Sequence, residues 1–333
     1  KKLVIIFDEM SGINSLESNY PFGLEFKKKI KTLYNKYQFT YYVNARSVSA
    51  KTKLSIPTLL NFIYTDEEIS TYNRLLKQNR YPLLKTSENY FIDREVTLNK
   101  FFDNEDNNNI VVYQGMAMDY CRHYKVIKCY HYNPFDRDNE YLEGFNYNFL
   151  SRSLSAYRNT QSIIARIISR IGIQFKITDN LLHPHGERAT FRYYLKKIEN
   201  SLELEKANLF FAHFQIPHRP FGFDENCNYN SAIESEGNIF QLHFRTMEKK
   251  VIQHNIERNC IVDYLDIFLS NLRKKEFWSD LEIFLISDHG SRLIKTDDKN
   301  ELVSIFAVKT RHIPPGLKKD KVTINYLFHK LNN

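Results

Sequence analysis

The chain has 333 residues, 42% of them hydrophobic and 26% charged, with a formal net charge of +8 and a pI near 9.0. That composition is ordinary for a globular protein and long enough for one large α/β domain or two small ones. No run of about eighteen apolar residues occurs and no signal peptide is visible, so no membrane-spanning helix is expected.

The basic balance favours acidic partners such as phosphate-bearing lipids or glycans. Lys and Arg are scattered, with short clusters at Lys27-Lys28-Lys29 and Lys318-Lys319, and they read mainly as solvated helix faces. Neither cluster is a nucleic-acid signature, so no nucleic-acid partner is expected. The chain opens on Lys1-Lys2 directly before a core strand, without an initiator Met, which predicts a domain excised from a longer protein. The four cysteines, Cys121, Cys129, Cys227 and Cys260, have no CxxC or zinc-ribbon spacing and leave the redox compartment open.

In chain order, the apolar run Leu3–Phe7 predicts a buried strand that delivers Asp8 and Glu9 at its end. Phe22, Phe26, Ile30, Leu33 and Tyr34 recur at helical spacing and predict a helix near 22–37, followed by a strand near 38–44. A helix is expected from about residue 55, with Pro57 in its first turn. Asp103 to Asn109 reads as a loop before strands near 110–113 and 125–131. Helices near 148–171 and 186–204 lead to a strand at 207–213. A long helix near 243–275 precedes strands at 281–286 and 303–309, and a short helix closes the chain. This alternation predicts an α/β fold with a mostly parallel sheet covered on both faces.

Four segments carry chemistry. The run Leu281–Ile286 is a core strand ending in Ser287-Asp288-His289-Gly290, at the carboxyl end where α/β sheets gather ligands. With Asp8 and Glu9 leaving the first strand, this suggests one shared metal site. A third strand ends at His213 and continues to His218 between Pro217 and Pro220. Imidazoles in that rigid loop suit metal binding or hydrogen bonding to a phosphoryl oxygen. In Ser49-Ala50-Lys51-Thr52-Lys53-Leu54-Ser55-Ile56-Pro57, a hydroxyl stands before a helix N-terminus. It reads either as a helix cap or as a nucleophile stabilised by the helix amides.

Taken in order, IIFDE, TKLSIP, HFQIPHRP and SDHG resemble the alkaline phosphatase/sulfatase superfamily, and within it the phosphoethanolamine and phosphoglycerol transferases. The resemblance covers nearly the whole chain and implies one alkaline-phosphatase-like catalytic domain over 1–333. It picks out Thr52 as the nucleophile of a T-x-x-S-[VI]-P segment completed by Ser55, Ile56 and Pro57. His213, His218 and Pro220 match H-x-x-x-x-H-x-P. Asp288 and His289 match the metal ligands, and Asp8, with Glu9 as alternative, matches the carboxylate after the first strand.

The implied set of Asp8, Thr52, Asp288 and His289 suits Zn²⁺, with Mn²⁺ or Mg²⁺ also compatible. The metal would lower the pKa of the Thr52 hydroxyl, while His218 and His213 would stabilise phosphoryl oxygens or hold a second metal. The sulfatase C/S-x-P-x-R motif with Cys is absent, and Ala50 and Thr58 stand where lipid A transferases flank the threonine with cysteines. A further family histidine after SDHG has His312 as its nearby candidate.

The implied activity is a ping-pong transfer of a phospho-substituent from a phospholipid or similar donor onto a glycan or glycolipid, such as lipopolysaccharide or capsule. A phosphodiesterase or phosphomonoesterase of the same fold is the alternative. The implied location is the periplasmic face of a bacterial inner membrane, through a region outside this chain, with the cytoplasm as the alternative.

Overall fold

In a parallel sheet covered by helices, consecutive strand residues must enter two different apolar layers. Strand β1 (Lys2–Asp8) does this: Leu3, Ile5 and Phe7 enter one core, Val4 and Ile6 the other. The computed structural model describes residues 1–77, 99–104, 109–114, 120–121, 123–131, 187–219, 221–230, 233, 246–294, 296 and 299–332. The expected helix near 148–171, Pro220 and the middle of the 103–109 loop lie outside them.

After β1 come α1 (Gly23–Lys36), β2 (Thr40–Arg46), α2 (Thr52–Leu60), α3 (Asp66–Lys77) and the short α4 (Lys100–Asp103). Strands β3 (Ile110–Gln114) and β4 (Val126–His131), helix α5 (Glu187–Leu204), strand β5 (Leu209–Pro217) and helix α6 (Met247–Arg273) follow. Strands β6 (Glu282–Ser287), β7 (Phe306–Lys309) and β8 (Gly316–Thr323) and helix α7 (Ile324–Asn332) complete the order. The strands form one sheet in the order β4-β3-β5-β1-β6-β7-β2-β8. Every pairing is parallel except those of β7, which runs antiparallel to both β6 and β2. The fold is therefore α/β with a mostly parallel central sheet, as expected.

One layer packs Phe26, Ile30 and Leu33 of α1, Phe191 and Ile198 of α5 and Leu265 and Leu269 of α6 onto the sheet. The opposite layer is built from Ile56 and Leu59 of α2, Phe101 and Phe102 of α4 and Leu327 and Phe328 of α7. Helix α2 begins at Thr52 rather than near residue 55, because Lys51 in extended conformation forms the boundary. Pro57 consequently lies inside the helix, not in its first turn. Helix α3 and strand β8 were not expected. β8 reads GLKKDKVT, a polar stretch at the sheet edge without apolar alternation. The Lys318-Lys319 cluster is thus on a strand, not a helix face.

Helix α6 brings polar groups into the interior: His254, Asn255, Glu257, Arg258 and Asn259 are all buried. Arg258 donates to the Ser11 carbonyl at 3.1 Å, to Ser15 Oγ at 3.4 Å and to Asn255 Oδ1, and it lies over the Phe26 ring. Asn255 donates to the Glu17 and Pro21 carbonyls, and Asn259 to that of Phe22. The segment between β1 and α1 is therefore tied to α6 through backbone oxygens. Burial lowers the Arg258 pKa to about 10, so it stays charged at neutral pH. Replacing Arg258 by Leu should destabilise the protein by about 3 kcal/mol or more, because its buried acceptors lose their donor. Urea denaturation followed by circular dichroism measures this, and a loss under about 1 kcal/mol would contradict the role.

Candidate active site

Because β1 and β6 pair in parallel with Phe7 opposite Ser287, their next residues, Asp8 and Asp288, emerge side by side. The Asp288 N–H donates to the Phe7 carbonyl at 3.1 Å, continuing the ladder to the last turn. Asp288 Oδ1 accepts the N–H groups of Glu9 at 3.1 Å and His289 at 2.6 Å. Its other oxygen, Oδ2, is buried without a hydrogen-bond partner. An orphaned carboxylate oxygen inside a protein is costly unless a proton or a cation takes it.

His289 is oriented by its own backbone. Nδ1 lies 2.7 Å from the Gly290 carbonyl, which only accepts, so Nδ1 carries the proton and Nε2 keeps its lone pair. Nε2 lies 3.4 Å from Asp288 Oδ2 and 3.5 Å from Asp8 Oδ1. Thr52 Oγ1, from the first residue of α2, is 3.3 Å from Asp8 Oδ1 and 3.3 Å from His289 Nε2. Ligands arranged tetrahedrally at about 2.1 Å from zinc stand about 3.4 Å apart, so this spacing fits a small divalent cation. Among the described residues, Asp8, Asp288 and His289 are the group of three metal-ligand types that converge in this way.

Glycine is required at position 290 because a Cβ there would run into the Val303 carbonyl oxygen, while its N–H donates to Glu301 at 2.8 Å.

Electrostatics agree with the geometry. Burial, with the Asp288 charge next, raises the Asp8 carboxyl to about 7. Burial also raises Asp288 to about 7, against the hydrogen bonds from the Glu9 and His289 amides. A bound cation reverses both directions.

Glu9 takes a separate path. With a φ of 63° it turns out of the strand, and Arg292 Nε donates to its Oε1. Burial pushes Glu9 up, but its basic neighbours, His218 and the hydrogen-bonded Arg292 guanidinium foremost, outweigh that and hold it below its ordinary value. His218 donates its backbone N–H to the Asp8 carbonyl at 3.1 Å and Nδ1–H to the Arg219 carbonyl at 2.6 Å. Its Nε2 accepts from Arg292 Nη2 at 2.9 Å. His213, on β5 beside Ile6, has Nδ1 2.7 Å from the Tyr120 hydroxyl. Its Nε2 is buried without a partner, and burial lowers its pKa to about 3.

The structure brings Asp8, Thr52, Asp288 and His289 together, with Glu9, His213 and His218 around them. Ser55 is buried one turn into α2, its Oγ 3.4 Å from the Thr52 carbonyl, so it does not cap the helix. His312 does not join the site. Its side chain is 85% exposed and lies 4.0 Å from Glu282, at the opposite end of β6 from Asp288. Sequence reasoning missed Arg292, which stood four residues beyond Asp288 as a cation with no motif to flag it, and Tyr120, which no local pattern marked.

By sequence, no protein-family model and no curated protein matches the chain. Solved structures do match in fold. The phosphonate monoester hydrolase SpPMH from Silicibacter pomeroyi matches with a TM-score of 0.59 at 10% identity, over 98% of this chain and 71% of that one. The C-terminal periplasmic domain of phosphoethanolamine transferase EptC from Campylobacter jejuni matches with 0.51 at 12%, over 99% and 88%. A protein in the alkaline phosphatase superfamily from Vibrio parahaemolyticus matches with 0.50 at 12%, over 98% of this chain but 64% of its own length. The protein thus has the alkaline-phosphatase-superfamily fold. Within that fold it resembles both transferases and hydrolases.

Asp8 and Asp288 predict a pH dependence for the metal-free protein. Their folded pKa values lie above the unfolded ones, so their contribution to stability is fully present below about pH 4 and lost as pH rises towards about 7. Calorimetry of chelator-treated protein should show a melting temperature that falls between pH 5 and 7, and added Zn²⁺ should remove that fall. A zinc-independent profile would count against the cluster as a cation site.

Proposed function

We propose that this chain is the catalytic domain of a metal-dependent transferase acting through a Thr52-linked intermediate. The group moved is a phospho-substituent such as phosphoethanolamine or phosphoglycerol, and the acceptor is a glycan or glycolipid. The observation that carries this reading is the position of Thr52 Oγ1, 3.3 Å from both Asp8 Oδ1 and His289 Nε2, at the first turn of α2. Neither helix capping nor packing asks for a threonine hydroxyl on a buried carboxylate.

Asp8, Asp288, His289 and Thr52 Oγ would hold the cation, for which zinc fits best and Mn²⁺ or Mg²⁺ also serves. When bound, it supplies positive charge that favours the Thr52 alkoxide and offsets charge on phosphorus. Thr52 Oγ attacks phosphorus, its proton passing to the Asp8 carboxylate. The bond from phosphorus to the donor's leaving oxygen breaks, and that oxygen takes up the proton that Asp8 received. An acceptor hydroxyl then attacks the same phosphorus, the bond to Thr52 Oγ breaks, and the hydroxyl's proton passes through the same carboxylate back to Thr52 Oγ. The first amides of α2 and its dipole face the phosphoryl group, and the neutral His213 offers its buried Nε2.

The second reading is a phosphodiesterase or phosphomonoesterase, in which water replaces the acceptor. The fold likeness to a phosphonate monoester hydrolase favours it. An extracytoplasmic location is supported by the pairing of all four cysteines as Cys121–Cys129 and Cys227–Cys260, with Cα–Cα separations of 5.7 and 5.2 Å. The periplasmic origin of the EptC domain points the same way.

Thr52→Ala should reduce turnover to below about one thousandth and abolish any covalent adduct, whereas Thr52→Ser retains part of both. Ser55→Ala should stay near the wild-type rate. Intact-protein mass spectrometry after incubation with phospholipid reads the adduct, and nitrophenyl phosphate esters read hydrolysis. Activity lost in Ser55→Ala but kept in Thr52→Ala would shift the nucleophile by one turn. Rapid monoester hydrolysis unaffected by any glycan would support the hydrolase instead.

A further inference from the structure

We propose that Arg292 anchors the outer oxygens of the phosphoryl group and that its guanidinium, beside His218, takes the place of a second metal ion. The inference rests on the phospho-transfer reading above and adds a specificity-determining residue to it.

His218 is the imidazole that a second metal would have to use, and both its ring nitrogens are already engaged. Nδ1–H donates to the Arg219 carbonyl at 2.6 Å, and Nε2 accepts from Arg292 Nη2 at 2.9 Å. A lone pair that receives an arginine N–H is not offered to a metal. Glu9, the nearest further carboxylate, is engaged too, since Oε1 accepts from Arg292 Nε. Because guanidinium is always charged, a dication brought to His218 and Glu9 would have to displace it against direct repulsion.

Arg292 is held in place rather than dangling. Ser291 N–H donates to Ser11 Oγ at 2.8 Å, Leu293 N–H donates to Ser291 Oγ at 3.1 Å, and Ser11, Ser291 and Leu293 are all buried. The guanidinium plane is then set by Glu9 on one edge and His218 on another. Among the described residues Nη1 has no hydrogen-bond partner, and the side chain is 36% exposed. One donor edge therefore faces outward on the rim of the Asp8 cluster, to which His218 is joined by its bond to the Asp8 carbonyl. The Nη1–H groups of Arg292 can donate charge-assisted hydrogen bonds to the outer oxygens of a tetrahedral phosphoryl group. Ground-state charge on the donor and transition-state charge would then be met by one cation at Asp8/Asp288/His289 and one fixed guanidinium.

Zinc content by plasma mass spectrometry and inorganic phosphate affinity by titration calorimetry, on the zinc-loaded chain, test the division. The wild type should hold one zinc per chain. Arg292→Ala should keep that zinc while weakening phosphate binding about tenfold or more and slowing adduct formation by about 10²-fold. Arg292→Lys, a point charge without the fork, should fall between. Since the single variant leaves Glu9 buried without its partner, Glu9→Gln/Arg292→Gln gives the same readout in a neutral pair, with circular dichroism checking the fold. Two zincs per chain, one of them lost in His218→Ala, would overturn the proposal. So would phosphate affinity unmoved in the Arg292 variants, or no phosphate binding by the wild type. Phosphate affinity that responds to Arg292 supports the anchor even where no Thr52 adduct forms, a result that counts against the transfer reading alone.

Discussion

Two carboxylates, Asp8 and Asp288, end adjacent parallel strands inside the protein, where water cannot separate their charges. With ligand atoms within 4.8 Å of one another, their repulsion at an effective dielectric of about 20 is about 3 kcal/mol or more. Hydrogen bonds relieve it only in part: Asp288 Oδ1 is fixed by two backbone amides, while Oδ2 has no hydrogen-bond partner. The remaining relief is a proton or a cation. The neighbouring groups favour a cation: His289 presents an imidazole lone pair, and Thr52 presents an oxygen at equal distance from Asp8 Oδ1 and His289 Nε2. The rest of the site is arranged around that charge problem.

Helix α6 makes the arrangement rigid. His254 Nε2–H donates to the Glu9 carbonyl at 3.0 Å, fixing the backbone just past Asp8. Glu257 accepts the N–H groups of Gly222 and Phe223 at 2.6 and 2.7 Å, fixing the loop after β5 that carries His218. The Cys227–Cys260 pair joins that same loop to α6 covalently. A buried polar helix is an expensive choice compared with an apolar one. Here the polar groups replace the intraloop hydrogen bonds that irregular backbone lacks, so two functional loops sit at fixed positions relative to the sheet.

The sheet and the two central carboxylates were legible because they obey local rules. Buried parallel strands are short apolar runs, and the residues just past them have nowhere to go but the carboxyl edge. Asp8 and Asp288 followed from that alone, and His213 nearly so. Strand β8 was illegible because an edge strand needs no apolar face, and α3 because its acidic first turn resembles a loop. The antiparallel direction of β7 depends on the path of the 288–305 segment, which no periodicity encodes. Arg292 and His312 show the limit most clearly. Both are basic residues after SDHG, and only the direction of the chain decides that one turns into the site and the other to the far end of the sheet.

Strand β8 has a further consequence. Among the described residues it is the outermost strand beyond β2, and an unpaired strand edge invites a second copy of the protein to extend the sheet. Lys319, Asp320 and Lys321 are exposed along it, with Lys318 partly so. Another β8 brought alongside would face the same dense positive charge at close range. Part of the chain's net charge therefore acts as a guard against edge-to-edge aggregation, independent of any ligand that the basic residues attract elsewhere.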